Sequence, residues 1–139
     1  MGEARMVLDK ITAAVETSDT EKLMALYAPD AVAVTPDAGE VKGREEIVEW
    51  MRQFMVAFPD ISFDVIAEHE DGDTAVDECY LVATHTGPLS GPEGEIAPTG
   101  KRIHLRECDI AVVSDGLVRE HRFYYDQGEL MEQLGLIPA

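Results

Sequence analysis

The chain has 139 residues, enough for one hydrophobic core with a modest cavity but too few for two independent cores. Its 28 acidic and 11 basic residues give a formal net charge of -17, which repels nucleic-acid phosphates and anionic membrane surfaces. We therefore expect one soluble domain over residues 1–139, with neither nucleic acid nor membrane as a partner.

The N-terminal part of the chain has the apolar spacing of helices. Apolar residues recur every three to four positions between Met6 and Val15, which predicts a first amphipathic helix. Ser18 followed by Glu21 has the form of a capping box, so we expect a second helix to begin there. A short β-prone run over residues 31–35 follows.

A third helix is predicted from Arg44 to about Ala57, and Pro59 stops it. Trp50 and Phe54 on this helix are four positions apart and therefore share one face. Most apolar side chains of the helix are expected to belong to the core. Trp50 and Phe54 are also candidates for the wall of a pocket that binds a flat apolar substrate.

From Ile61 onward the apolar residues alternate, which predicts strands with one face on the core. Turns at 71–73 and 114–116 join these strands into two hairpins. The stretch from Gly87 to Gly100 is rich in proline and glycine and is expected to be a loop. The predicted strands span residues 61–68, 74–86, 102–113 and 117–126, and a short helix is predicted over 127–134.

This order of helices followed by a long antiparallel sheet predicts the α+β class. Such a sheet needs cover on its inner face, and the preceding helices can fold back to supply it. We therefore predict a curved sheet wrapped around helices, with a conical cavity inside.

Asp126 ends the last predicted strand at the mouth of this cavity. Strand alternation puts Asp126, Tyr124 and Arg122 on one side and His121 on the other. If Asp126 faces the cavity, burial raises its pKa and suits it to take a proton from carbon, and His121 then faces away. The alternative is that Asp126 caps the terminal helix, and both interpretations stay open.

Arg122 and Tyr124 share the predicted side of Asp126. A guanidinium and a phenol there would donate to the oxyanion of an enolate-forming reaction, so both are candidates for substrate binding. The competing interpretation is an ion pair between Arg122 and Asp126 that has no chemical consequence.

His85 ends one strand and His104 opens the next, so the two imidazoles are candidates for a facing catalytic pair that relays protons. A hydrogen-bonded structural role is the alternative for each. The four histidines stand apart in the sequence, without the spacing of a metal site, and no nucleotide-binding glycine loop is present. We therefore expect neither a metal nor a cofactor.

Two cysteines, Cys79 and Cys108, lie in predicted strands, and neither belongs to a CxxC pair. They are most simply buried small hydrophobes. No secretory-signal pattern precedes the first helix, and the apolar stretches are far shorter than the ~20 residues of a membrane span. These features predict a cytoplasmic protein with reduced cysteines.

Several short stretches, taken in their order and spacing, carry a resemblance to a known family. They are Phe58-Pro59-Asp60, Thr84-His85-Thr86-Gly87, Pro98-Thr99-Gly100-Lys101, Cys108-Asp109-Ile110, Asp115-Gly116 with Glu120-His121, and Asp126 with Gln133-Leu134-Gly135-Leu136. With the order of elements, they resemble the SnoaL-like polyketide cyclases of the nuclear transport factor 2-like superfamily.

This resemblance implies a cone-shaped, cystatin-like α+β barrel that forms a homodimer through its sheet and binds an apolar small molecule in its pocket. It also implies cofactor-independent cyclisation by an intramolecular aldol reaction, or an isomerisation, in which one aspartate serves as acid and base. Asp126 matches that aspartate. The alternative is a module of the same fold that binds a small molecule or dimerises without catalysis.

Overall fold

The computed structural model describes residues 2–91 and 94–137, so Pro92 and Glu93 of the predicted loop lie outside the described residues. In chain order the elements are α1 Glu3–Glu16, α2 Thr20–Leu26, β1 Tyr27–Thr35, β2 Gly39–Lys42, α3 Arg44–Ala57, β3 Ser62–Asp71, β4 Thr74–Thr84, β5 Leu89–Gly91, β6 Gly94–Ile96, β7 Arg102–Ser114, β8 Leu117–Tyr125 and α4 Gln127–Gln133. Among these residues, no helix is long and apolar enough to cross a membrane.

Six strands form the main sheet, in the order β2-β1-β8-β7-β4-β3. Neighbouring strands are antiparallel except for β1 and β8, which run parallel. The predicted α+β class, with helices packed in a curved sheet, is confirmed. The parallel pair extends the predicted four-stranded sheet by the N-terminal strands β1 and β2.

The core lies between helices α1 and α3 and the inner face of the sheet. Leu8 and Ile11 on α1 and Ile47 on α3 are almost fully buried, and so are Leu105 and Ala111 on β7. Burying a large aliphatic side chain of this kind contributes about 1.5–3 kcal/mol. The helical and strand periodicities of the sequence therefore meet in one apolar layer, and the candidate site lies within it.

The start of α2 differs from the predicted capping box. The carboxylate of Asp19 accepts a hydrogen bond from the backbone N–H of Lys22 at 3.0 Å, whereas Ser18 has a φ of 54° and lies outside the helix. Asp19 is thus the N-cap, because the chain needs Ser18 for the turn that separates α1 from α2.

Three further segments differ from the predicted elements. The turn-rich segment after β1 forms β2, which pairs with β1. The predicted loop contains a small hairpin in which Leu89 pairs with Ile96. The pairing of β3 with β4 shifts register between Val65 and Ala67, and Val65 is 49% exposed although its alternation predicted a core position. Short edge strands and bulges leave little trace in hydrophobic periodicity.

Candidate active site

A cavity of about 70 Å³, here called the inner cavity, lies between α3 and the inner face of the sheet. Its wall is formed by apolar and aromatic side chains from α1, α3 and strands β3, β4 and β8. Glu107 of β7 contributes the one carboxyl group among the described residues of this wall. The inner cavity is therefore an apolar site with a single acidic group.

Two more cavities adjoin the inner cavity. A pocket of about 40 Å³, the deep pocket, shares Glu107 and Phe123 with it and also contacts Asp109 and His121. A space of about 490 Å³, the outer chamber, shares Phe54 and Tyr125 with the inner cavity and is bounded by α4. The three cavities are therefore neighbours through shared wall residues, and the deep pocket is the one that contacts Asp109 and His121.

Glu107 is only 5% exposed, and its carboxyl joins the inner cavity to the deep pocket. Burial raises the pKa of Glu107 well above its ordinary value, and the negative charge of Asp109 raises it further. The Cys79 thiol donates a hydrogen bond to Oε2 of Glu107 at 2.9 Å. The raised pKa favours the protonated form of Glu107, which is the form that can donate a proton to a bound carbonyl.

A buried chain of hydrogen bonds begins at Asp109, two residues after Glu107 on the same face of β7. Oδ2 of Asp109 lies 2.6 Å from Nε2 of His121, and Nδ1 of His121 lies 2.6 Å from the hydroxyl of Tyr27. His121 and Tyr27 are completely buried. Three elements of the fold, β7, β8 and the start of β1, thus meet through these side chains.

The contacts of Asp109 and Tyr27 define the tautomer of a neutral His121. Burial, followed by the charge of Asp109, raises the pKa of Tyr27 well above its ordinary value, so its hydroxyl keeps the proton. With the Asp109 carboxylate on Nε2, Nδ1 is the ring nitrogen that accepts from this hydroxyl. Nε2 then carries the ring hydrogen and donates it to Asp109. Tyr27 and His121 therefore fix the orientation of the Asp109 carboxylate.

Asp77 lies beside this group on the inner face of β4. Its Oδ1 accepts a hydrogen bond from the guanidinium of Arg5 at 2.5 Å, and both side chains are buried. Burial raises the pKa of Asp77 to about 6 and the charge of Asp109 adds to this, although Arg5 opposes the shift. Arg5 of α1 is therefore tied to the acidic interior of the sheet.

The structure contradicts the predicted orientation of Asp126. Asp126 follows the end of β8, is exposed, and is absent from the described lining of the three cavities. Its carboxylate accepts a hydrogen bond from the backbone N–H of Glu129 at 3.1 Å as the N-cap of α4. The alternative of a helix cap is thus confirmed, because the first turn of α4 requires an acceptor at this position.

The predicted faces of β8 are likewise reversed. His121, Phe123 and Tyr125 point inward, whereas Tyr124 is 53% exposed and Arg122 lies 3.7 Å from Glu120 on the outer face. His121 was expected to face away from the pocket and is instead part of its polar end. The buried hydrogen bonds of His121 allow an imidazole to occupy the inner face.

His85 and His104 do not form the predicted facing pair. His85 is fully buried, with Nδ1 3.0 Å from the hydroxyl of Thr99, and packs against Phe58. His104 is exposed and stacks on Tyr80, with ring centroids 4.1 Å apart. The two imidazoles lie on opposite faces of the sheet, because an odd number of residues in the paired register separates them.

Trp50 and Phe54 lie in the wall of the inner cavity, on the helix face predicted to meet the sheet. The Trp50 ring packs against Phe123 with centroids 4.9 Å apart. Nε1 of Trp50 donates to the carboxylate of Asp37, with N–O distances of 3.1 and 3.3 Å. That Trp50 and Phe54 bind a substrate remains a prediction.

Sequence reasoning missed Glu107 and Asp109 as site residues. The inward face of β7 carries both carboxyls between the apolar residues Leu105 and Ala111. Two acids at alternate positions within an otherwise apolar strand face are a signal available in the sequence, because acids at core positions need a partner or a function.

Comparison with known proteins agrees with this architecture. A structure from Jannaschia sp. CCS1, described as a candidate SnoaL-like polyketide cyclase, superposes with a TM-score of 0.85 at 18% identity, covering 98% of this chain and 94% of that one. AclR from Streptomyces galilaeus, described as a candidate hydroxylase, gives a TM-score of 0.83 at 26% identity, and the match covers 99% of this chain and 83% of AclR. IdmH from Streptomyces antibioticus, described as a candidate polyketide cyclase, gives a TM-score of 0.79 at 26% identity, and the match covers 96% of this chain and 99% of IdmH.

The curved sheet packed against helices has the nuclear transport factor 2-like, ketosteroid isomerase-like fold. The family model for the SnoaL-like polyketide cyclases matches residues 5–134. The chain therefore belongs to the SnoaL-like polyketide cyclase family. A search of curated protein sequences found no match.

Proposed function

We propose that the chain is a cofactor-independent cyclase that closes a ring in an apolar carbonyl compound by acid and base catalysis at Glu107 and Asp109. The observation that carries this proposal is the buried carboxyl of Glu107 in the wall of an otherwise apolar cavity. Its raised pKa favours the protonated form, while Asp109 beside it accepts a hydrogen bond from His121. Two neighbouring carboxyls in different environments are suited to opposite roles.

In an intramolecular aldol reaction, the carboxylate of Asp109 removes a proton from the carbon next to one carbonyl. The electron pair of that C–H bond forms an enolate, and its carbon attacks a second carbonyl of the same molecule to form the C–C bond. Glu107 donates its proton to the oxygen of the attacked carbonyl. Asp109 then holds the proton that Glu107 has lost, and transfer between these neighbours restores both groups.

Tyr27 and His121 act as positioning residues in this mechanism. His121 contacts the Asp109 carboxylate at 2.6 Å, and Tyr27 in turn contacts His121 at 2.6 Å. The apolar wall supplied by Trp50 and Phe54 excludes water and holds the flat part of the substrate. Because little water reaches the substrate, the enolate carbon attacks the second carbonyl more readily than it takes a proton back from water.

The proposal is tested by proton exchange, which reports the first step without knowledge of the natural substrate. The probe is 2-tetralone in deuterated buffer, and loss of its α-proton signals is followed by NMR. We expect Glu107→Gln and Asp109→Asn each to lower the enzyme-catalysed exchange rate about 100-fold or more. The matched control is Glu120→Gln, which removes an exposed carboxylate from the outer face of β8.

Asp126→Asn separates this proposal from the role that the family resemblance assigns to Asp126. Asparagine also caps helices, so the variant should keep α4 intact. Loss of exchange in Asp126→Asn together with full activity in Glu107→Gln would contradict the proposal. Binding of 2-tetralone by the unaltered protein without any exchange would instead favour the non-catalytic binding module.

We also propose that the outer face of the sheet forms a homodimer. Val34 and Tyr124 are exposed on this face at 43% and 53%, and the register pairs Val34 with Arg122. The measurement is the mass in solution by light scattering, for the unaltered chain and for Tyr124→Glu. A dimer that Tyr124→Glu converts to a monomer supports the proposal, and a monomeric unaltered chain overturns it.

A further inference from the structure

The outer chamber holds about 490 Å³, against about 70 Å³ for the inner cavity. Phe54 and Tyr125 belong to the walls of both spaces. A substrate that places a carbonyl at Glu107 therefore has room to extend past these two rings into the outer chamber. The chemistry of that chamber then restricts what the rest of the substrate can be.

The lining of the outer chamber divides into an apolar part and a part that accepts hydrogen bonds. Leu89, Leu130 and Met131 supply apolar surface, whereas the carboxylates of Asp37 and Glu95 supply acceptors. No lysine or arginine contributes to this lining among the residues that the structure describes. The chamber therefore presents negative charge without a compensating cation.

Gln127, the first residue of α4, adds a third acceptor to this lining. Its Oε1 atom is shielded from solvent and has no hydrogen-bond partner among the described residues. A shielded carbonyl without a donor carries a free-energy cost. A ligand that brings a donor into the chamber recovers this cost, so Gln127 favours donor-bearing ligands.

Asp37 is held at the boundary between the two spaces. It accepts a hydrogen bond from the indole N–H of Trp50 at 3.1 Å. Burial of Tyr125 raises the pKa of its hydroxyl, and the negative charge of Asp37 raises that pKa further. A carboxylate has about four acceptor positions, so Asp37 keeps capacity for a ligand. The overall charge of -17 further attracts a cation toward this opening.

We propose that the outer chamber binds a protonated amine carried by an otherwise apolar substrate. The amine donates to Asp37 and Gln127, and the hydrocarbon part packs on Leu130 and Met131. This inference rests on the proposed function in that the carbonyl end of the same molecule occupies the inner cavity. It names an amino-substituted carbonyl compound as the substrate class.

The test compares three compounds of one shape: 1-adamantanemethylamine, 1-adamantanemethanol and 1-adamantanecarboxylate. Trp50 is the single tryptophan of the chain and contacts Asp37, so its fluorescence reports binding. The expected order of affinity is amine, then alcohol, then carboxylate. Asp37→Asn should weaken binding of the amine roughly three- to fivefold, since an exposed ion pair is worth up to about 1 kcal/mol.

Gln127→Met keeps the size of the side chain, removes the acceptor and should also weaken binding of the amine. The matched control is Asp64→Asn, which makes the same charge change at an exposed position of β3 outside the described chamber lining. Equal binding of amine and carboxylate, or equal losses in Asp37→Asn and Asp64→Asn, overturns the inference.

The same series in Glu107→Gln separates this inference from the cyclase proposal. A preference for the amine that disappears in Glu107→Gln places the ammonium group at Glu107 and overturns the outer-chamber site. A preference that persists there supports the site, even if the unaltered protein exchanges no protons and the cyclase proposal fails.

Discussion

The Nε2 atom of His121 lies 2.6 Å from Oδ2 of Asp109, and the imidazole is completely closed to solvent. The contact joins β8 to β7 inside the core, where Ala111 is the register partner of His121. The hydrogen bond that orients Asp109 therefore also completes the packing of the sheet, so variants at these positions should change stability as well as chemistry.

Tyr27→Phe removes the hydroxyl that donates to Nδ1 of His121 and keeps the buried ring. The acceptor left without a donor should lower the free energy of unfolding by about 1–3 kcal/mol. Urea unfolding measures the change. Thr86→Val is the control, because it removes a hydroxyl at an exposed position and should stay within about 0.5 kcal/mol of the unaltered chain. Equal stabilities of the two variants would show that the buried hydroxyl contributes nothing.

Asp77 should make stability fall as pH rises. Its pKa is about 6 in the folded chain, above the value of about 4 for an unfolded aspartate. The folded state therefore binds the additional proton between these values, and the contribution of Asp77 to the free energy of unfolding decreases by about 2–3 kcal/mol across that window. Urea unfolding between pH 4.5 and 7 measures this dependence.

Asp77→Asn should remove this part of the pH dependence, while Asp64→Asn at an exposed position should retain it. The readout is the slope of stability against pH, which is separate from any overall loss caused by removing the partner of Arg5. An unchanged slope in Asp77→Asn would contradict the raised pKa.

Gly87 crosses the end of α3 at very short range. Its N–H donates to the carbonyl of Ala57 at 3.1 Å, and a Cβ atom at this position would overlap the carbonyl oxygen of Val56. Gly87→Ala should therefore destabilise the protein by about 2–3 kcal/mol through forced backbone movement. Thr86→Ala, at an exposed neighbouring position, is the control in the same unfolding experiment. A small loss in Gly87→Ala would mean that the segment moves freely away from α3.

The two cysteine thiols should react slowly with a disulfide reagent in the native state. Cys79 is 2% exposed, and burial together with its hydrogen bond to Glu107 raises its pKa. Burial also raises the pKa of Cys108. Thiolate formation limits such reactions, so we expect Cys79 to react only on unfolding. A spectrophotometric assay of Cys108→Ser at pH 8 isolates Cys79, and rapid native labelling would contradict the expectation.

The fold was largely predictable because its long elements have clear periodicity. Helix α3 and the β7–β8 hairpin follow from repeating apolar positions and from the turn at 114–116. Strands β2, β5 and β6 were not predicted, since three or four residues carry too little pattern. The parallel pairing of β1 with β8 was also missed, because it joins distant segments without a local signal.

The site was less predictable than the fold. Strand β8 has polar residues on both faces, so alternation alone does not show which face is buried. The inward position of His121 depends on Asp109 and Tyr27, which come from two other strands. Asp126 was misplaced because an aspartate at the junction of a strand and a helix satisfies both the cavity and the cap interpretation.

The parallel pairing of β1 with β8 also constrains the order in which the protein folds. Val32 pairs with Glu120, so β1 gains this neighbour only after residue 120 has left the ribosome. Contacts between such distant segments slow folding, because a long loop must close first. Until then β1 keeps an open edge that invites association with other chains. A chain that ends before residue 117 should therefore be prone to aggregation during synthesis.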